Sequence, residues 1–214
     1  MRLLKTDEVR EELQRLCLKT LTLSRQQELR TIMIAGCNER EGTSTVAINF
    51  SAILAREAQG KILLVDANLH HPTLEDAFGL IGAPGLTDVF TGEVALEAAI
   101  RPTEIENLFI LPAGHEFSNP LSIFNSQKLE EYLSELKKGF QFILLDSAPV
   151  IPYSDSLHLS LKVDMILLVL EAGKTRWEVA KEAVQKLERG EGRVLGSVLN
   201  KREYPIPKFI YKRL

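Results

Sequence analysis

The sequence predicts an α/β domain: a mostly parallel sheet with helices on both faces. Short apolar runs alternate with segments of helical spacing along the whole chain. The runs are apolar throughout rather than alternating polar and apolar, as strands buried on both faces require. No internal repeat or linker-like stretch divides the chain, and 214 residues with 45% apolar content suffice for one core.

In order, residues 7–20 read as an amphipathic helix, with Val9, Leu13, Leu16 and Cys17 on one stripe and Glu11, Glu12, Arg15 and Lys19 away from it. Lying before the first strand, it is expected to pack on the sheet edge or on another subunit. Ile32 to Ala35 form a strand-length run closed by Gly36, and Val46 to Ala58 resume helical spacing through Val46, Phe50 and Leu54. The run KILLVDANLHHP is a second strand ending in Asp66. Residues 73–106 mix short helical turns with Gly79, Gly82, Gly85 and Gly92, and a third strand covers 107–111. Leu129, Leu133 and Leu136 mark a helix over 126–138. FQFILLDSAP is a strand ending in Asp146, and VDMILLVLEAG is the next. Thr175-Arg176-Trp177-Glu178 has the spacing of a capping box opening a helix whose stripe is Trp177, Ala180, Val184 and Leu187, with Trp177 expected in the core or an interface. The strand RVLGSVLN ends at Asn200, before a basic, proline-spaced tail. The organisation is therefore a lead-in helix over 1–30, a domain over 31–202 and a tyrosine-containing tail over 203–214.

Composition excludes several classes. A net charge of −3 gives no basic face for nucleic acid. Two cysteines, Cys17 and Cys37, make neither a disulfide framework nor a metal spacing and fit a reduced, cytoplasmic setting. His70 and His71 are adjacent, so they point different ways and read as surface or ligand-edge groups. No apolar run approaches the roughly 20 residues that span a bilayer, and the N-terminus lacks a signal-peptide pattern.

The chemistry lies in residues 31–45, TIMIAGCNEREGTST: a strand, a glycine-bounded loop and a helix start. Free backbone N–H groups and the positive end of the helix dipole favour phosphate there. A P-loop asks for G-x-x-x-x-G-K-[ST], and here Gly42 is followed by Thr43 in place of lysine, then Ser44 and Thr45. A ligand-free strand-to-helix turn explains the same stretch. In a parallel sheet ligands bind beyond the carboxyl ends of strands, which puts Asp66 and Asp146 on the loop's edge. A hydroxyl at Ser44 with the Asp146 carboxylate is a donor set for magnesium on a nucleotide. The alternative is that each aspartate caps a following turn or helix.

The order GCNEREGTST, ILLVDANLHHP, FILLDSAPV and GSVLN, joined by FGLIGAPGLTDVFTGEVALEAAIRP and NLFILPAG, resembles the cytoplasmic domain of the bacterial tyrosine kinases (BY-kinases) of capsular and exopolysaccharide synthesis, over about residues 8–202. The resemblance implies a single P-loop NTPase-like domain binding Mg-ATP or Mg-ADP. It implies that the loop from Gly36 through Glu41, Gly42, Thr43, Ser44 and Thr45 holds the phosphates and that Ser44 and Asp146 hold magnesium. Asp66 would support the metal and activate the acceptor tyrosine, and Asn200 would read the adenine edge. Thr43 departs from the family's lysine, Arg40 from a loop glycine, Asn68 from a second acid and His70 from an arginine. Arg40 is the one loop residue able to restore the missing charge. The family's oligomerisation motif is broken around Glu12, Arg15 and Leu18, and its acceptor cluster is reduced to Tyr204 and Tyr211, whose other reading is aromatic anchors docking the tail.

The expected function is accordingly BY-kinase-like, with kinase activity weakened or lost. The expected role is docking or regulation on a membrane polysaccharide co-polymerase, with a homo-oligomer possible and no nucleic-acid partner. The alternatives are an active autokinase passing phosphate to tail tyrosines of another copy, or a membrane-cycling ATPase of the division-site type. In the latter, Lys201, Arg202, Lys208, Lys212 and Arg213 with Phe209, Ile210 and Leu214 give weak membrane contact. The location expected is cytoplasmic, peripheral to the inner membrane.

Overall fold

The computed structural model describes residues 7–202, the side chains of Asp7 and Glu8 excepted. Residues 203–214, with Tyr204, Tyr211 and the tail's membrane-contact residues beyond Arg202, lie outside the described residues. Among the described residues the strands are β1 (Thr31–Gly36), β2 (Ile62–Ala67), β3 (Arg101–Pro102), β4 (Leu108–Leu111), β5 (Phe142–Ser147), β6 (Met165–Glu171) and β7 (Val194–Asn200). They form one sheet in the order β3-β4-β2-β5-β1-β6-β7, parallel except for the short β3 at one edge. The antiparallel β3 has no counterpart in the sequence reading: two residues, one of them proline, carry no strand signal.

Both faces of the sheet are covered, which is why the strands read as unbroken apolar runs. Ile32 and Ile34 face one core with Leu64, Leu144 and Leu167, while Met33 and Ala35 face the other with Leu63, Leu145 and Ile166. The first core is closed by α1 (Asp7–Gln27) and α2 (Thr43–Glu57) through Leu13, Cys17, Val46, Phe50 and Leu54. Helix α1 thus runs seven residues beyond its expected end at 20 and packs over α2 rather than on a sheet edge. Beyond the helix end, Leu29 is buried in the same core.

Helix α3 (Leu74–Phe78) joins the first core through Leu74, Ala77 and Phe78, and the second is covered by α4 (Leu86–Thr91), α5 (Leu96–Ala99), α6 (Pro120–Phe124), α7 (Gln127–Gly139), α8 (Asp155–Ser160) and α9 (Trp177–Arg189). In α7, Leu129, Leu133 and Leu136 are buried as their spacing predicts, and Ser126 caps the helix by accepting the Leu129 N–H at 3.3 Å. Helix α9 corrects the core placement of Trp177 and the capping box. Trp177 is 68% exposed, with Lys181 over its ring at 5.6 Å, and the buried residues are Ala183 and Leu187. The capping box is absent: Arg176 takes the cap position without a side-chain bond, and the Thr175 hydroxyl is engaged elsewhere.

Candidate nucleotide site

Strand register assembles the site. Ile34 of β1 stands opposite Asp146 of β5, and Asp146 opposite Asp66 of β2; on the other side Glu171 of β6 stands opposite Asn200 of β7. The carboxyl ends of β2, β5, β1, β6 and β7 thus line one rim, with the loop 37–42 at its centre. The segment after β5 crosses behind that loop, where the Val150 and Ile151 N–H groups donate to Gly36 and Cys37 carbonyls at 2.9 and 3.1 Å.

The loop is braced from below by Glu41, whose carboxylate is 4% exposed. It accepts the Cys37 and Asn38 N–H groups at 2.6 and 3.1 Å and the Thr175 hydroxyl at 2.5 Å. Gly42 is left-handed at φ 87, and a Cβ there would lie 2.3 Å from Asn200 Nδ2. Only glycine satisfies both conditions. Asn200 donates that amide to the Glu41 carbonyl at 2.9 Å, so the residue expected to read the base also ties β7 to the loop. Among the described residues, the N–H groups from Glu39 to Thr45 meet no loop or side-chain acceptor. They form the open donor array that an anion needs at a helix start.

Asp146 is fully buried, and neither carboxylate oxygen has a hydrogen-bond partner among the described residues. Burial drives its pKa well above the ordinary value, with the neighbouring Asp66 adding to the rise; the Ser44 hydroxyl faces it and opposes the rise without closing a hydrogen bond. Asp66 is also fully buried, but it accepts the Asn68, Thr73 and Leu74 N–H groups at 3.2, 3.0 and 2.9 Å. Its pKa is pushed up to about 6, burial outweighing those bonds. The capping role and the rim position therefore coexist at Asp66, while Asp146 has only the rim. An unpartnered buried carboxylate beside a second acid and a hydroxyl requires a proton or a cation, and hard oxygen donors in this number fit Mg²⁺, which retains much of its water. Among the described residues no group of three or more His, Cys, Asp and Glu is arranged to hold a metal alone.

Arg40 stands in the left-handed region at φ 64 with its side chain exposed. Asn68 turns into its own turn, accepting the His71 N–H at 3.3 Å. His70 is bonded to Asp155 and stacked on Tyr153 with ring centroids 4.1 Å apart. The Tyr153 hydroxyl donates to Glu39 of the loop at 2.9 Å. The contacts of Tyr153 with Glu39, His70 with Asp155 and Lys201 with Glu171 were not legible in the sequence, because the partners lie 114, 85 and 30 positions apart.

A family model described as an AAA domain matches residues 29–188. The chain is 29% identical over 183 residues to the tyrosine-protein kinase CpsD of Streptococcus pneumoniae, covering 85% of this chain and 80% of that relative. The VpsO kinase domain is 32% identical, with a TM-score of 0.79 over 92% of this chain and 98% of that one. The septum site-determining protein MinD of Pyrococcus horikoshii, solved with Mg-ADP, is 28% identical with a TM-score of 0.68, covering 86% and 76%. A seven-stranded, mostly parallel sheet among the described residues with a glycine-bounded loop after the interior strand β1, matched along most of its length by tyrosine-kinase domains, places the chain in the bacterial tyrosine kinase family, on a single P-loop NTPase-like domain.

Proposed function

We propose that the chain is a nucleotide-binding BY-kinase homologue of capsular or exopolysaccharide production that holds Mg-ADP or Mg-ATP at Gly36–Thr45, has weak or no phosphotransfer activity, and serves as a docking or regulatory subunit on a membrane co-polymerase. The observation that carries it is the unpartnered, buried Asp146 beside Ser44 and Asp66, under an open array of loop N–H groups. Among the described residues no helix is long and apolar enough to cross a membrane, in keeping with a membrane link made through a partner.

Each residue has a role in that reading. The loop amides from Glu39 to Thr45 bind and orient phosphate; Ser44 and Asp146 would hold the magnesium, which neutralises phosphate charge. Asp66, poised near pH 6, would accept a proton from an acceptor hydroxyl. Arg40, exposed at the rim, is the residue available to replace the charge that Thr43 lacks. Deleting one such charge donor typically removes about 3–4 kcal/mol of transition-state stabilisation, or 10²–10³ in rate. Thr43 leaves binding by the backbone intact and takes away most of the transfer; any residual transfer would go to Tyr204 or Tyr211 of another copy.

Calorimetry with Mg-ADP and Mg-ATP, with autophosphorylation measured alongside, tests this. Binding without transfer is expected, and Thr43→Lys should raise transfer by roughly 10²-fold or more. No uptake of either nucleotide would refute the nucleotide site. Turnover by the natural chain that Asp66→Ala abolishes would refute the loss of activity.

A further inference from the structure

Lys201 follows β7 directly, at φ 53. Its ammonium donates to the Arg40 carbonyl at 2.5 Å and to Glu171 at 3.0 Å. Glu171, with a side chain only 11% exposed, is paired on its other oxygen with Lys174 at 2.6 Å. These pairs hold the Glu171 carboxyl below its usual range. Two ammonium groups thus share one carboxylate, which fixes the Lys201 ammonium against the loop.

The two carbonyls drawn to this side are consecutive. Lys201 takes Arg40 O, and Asn200 takes Glu41 O at 2.9 Å. A peptide unit is planar and trans, so its N–H points opposite to its C=O. Pulling the Arg40 and Glu41 carbonyls toward β7 turns the N–H groups of Glu41 and Gly42 the other way, into the open donor array. Arg40 is held at φ 64 while this happens. A non-glycine residue there costs about 1–2 kcal/mol and persists only where its surroundings fix it. The Lys201 stem completes the fit: its Cε lies 3.7 Å from where a Gly42 Cβ would be.

We propose that Lys201 is a positioning residue of the nucleotide site, gripping the strained Arg40 peptide so that the loop presents its N–H groups to a nucleoside diphosphate. It rests on the Mg-nucleotide reading for the ligand, but not for the loop geometry. Glu171 and Lys174 set the ammonium in place, and Arg40 contributes its carbonyl rather than its guanidinium to the grip.

The test is a cycle of Lys201→Met, Arg40→Gly and the double variant, in the full chain. Calorimetry measures Mg-ADP affinity; in the nucleotide-free protein, NMR backbone shifts and the HN–Hα coupling of residue 40 report its φ. Lys201→Met should weaken Mg-ADP by roughly tenfold or more, the size of one hydrogen bond to a charged group, and move Arg40 out of the left-handed region. In the Arg40→Gly background the same Lys201→Met change should cost less affinity than it does in the natural chain, because glycine takes positive φ without strain. A general loss of stability would not show such a coupling. Unchanged affinity and unchanged φ in Lys201→Met overturn the proposal. If the natural chain takes up no Mg-ADP, the nucleotide reading fails and residue 40 alone decides: a shift of φ upholds the grip, and no shift overturns it.

Discussion

Replacing Asp146 by asparagine should stabilise the nucleotide-free protein at pH 7.5. The folded-state pKa of Asp66 lies at about 6 against an ordinary 3.8, so between those values the folded state binds more protons than the unfolded one. Stability then falls as pH rises, by about 3 kcal/mol for Asp66 once pH passes 6. Asp146 is as deeply buried, without the three N–H donors that ease Asp66, and its raised pKa acts in the same direction. Asparagine keeps the shape and removes the ionisation. Each 1 kcal/mol gained corresponds to roughly 2–4 °C in Tm for a chain of this size. The gain should shrink at pH 5, where protonating the natural carboxyl costs less. Saturating Mg-ADP should also narrow it, because the metal gives the natural carboxylate its missing partner. Differential scanning calorimetry of both proteins at pH 5 and 7.5, with and without Mg-ADP, reads all of this. An Asp146→Asn protein less stable than the natural chain at both pH values would refute the assignment of Asp146 as an uncompensated buried acid.

Glu41→Ala should lower stability by about 2–4 kcal/mol, since it strands the Cys37 and Asn38 N–H groups and the Thr175 hydroxyl; urea denaturation measures it. Gly42→Ala should cost about 1–3 kcal/mol through positive φ and the 2.3 Å approach to Asn200, and should abolish Mg-ADP uptake while the circular dichroism stays that of the folded chain. Asp88→Asn should bring the His115 pKa down in an NMR titration, because Asp88 accepts from His115 Nδ1 at 2.6 Å and holds the imidazole above its usual value. The signs are opposite for the two partners. The raised His115 stabilises below its ordinary 6.5 and loses this as pH rises through its folded value; the lowered Asp88 stabilises above 3.8 and loses this as pH falls through its own.

What the sequence by itself determined is what neighbouring residues decide. Apolar runs buried on both faces gave β1, β2, β4, β5 and β6, and a run closed by Gly36 before a helix with Val46, Phe50 and Leu54 gave the phosphate loop. Asp66 and Asp146 were legible because polarity begins where a buried strand ends, and parallel strands carry those ends to one rim. Tertiary structure decided whatever depends on a partner far along the chain. Thr175 has the local spacing of a helix cap, yet its hydroxyl goes to Glu41, 134 positions away, where a buried carboxylate competes better for it. Trp177 fits an apolar stripe, but α9 turns it outward and buries Ala183 and Leu187. Asn200 and Lys201 acquire their hold on the loop only because β7 lies beside β6, two strands from β1. Local pattern fixes which elements form and which residues end them; hydrogen bonds between those ends are settled only by how the strands are ordered in the sheet.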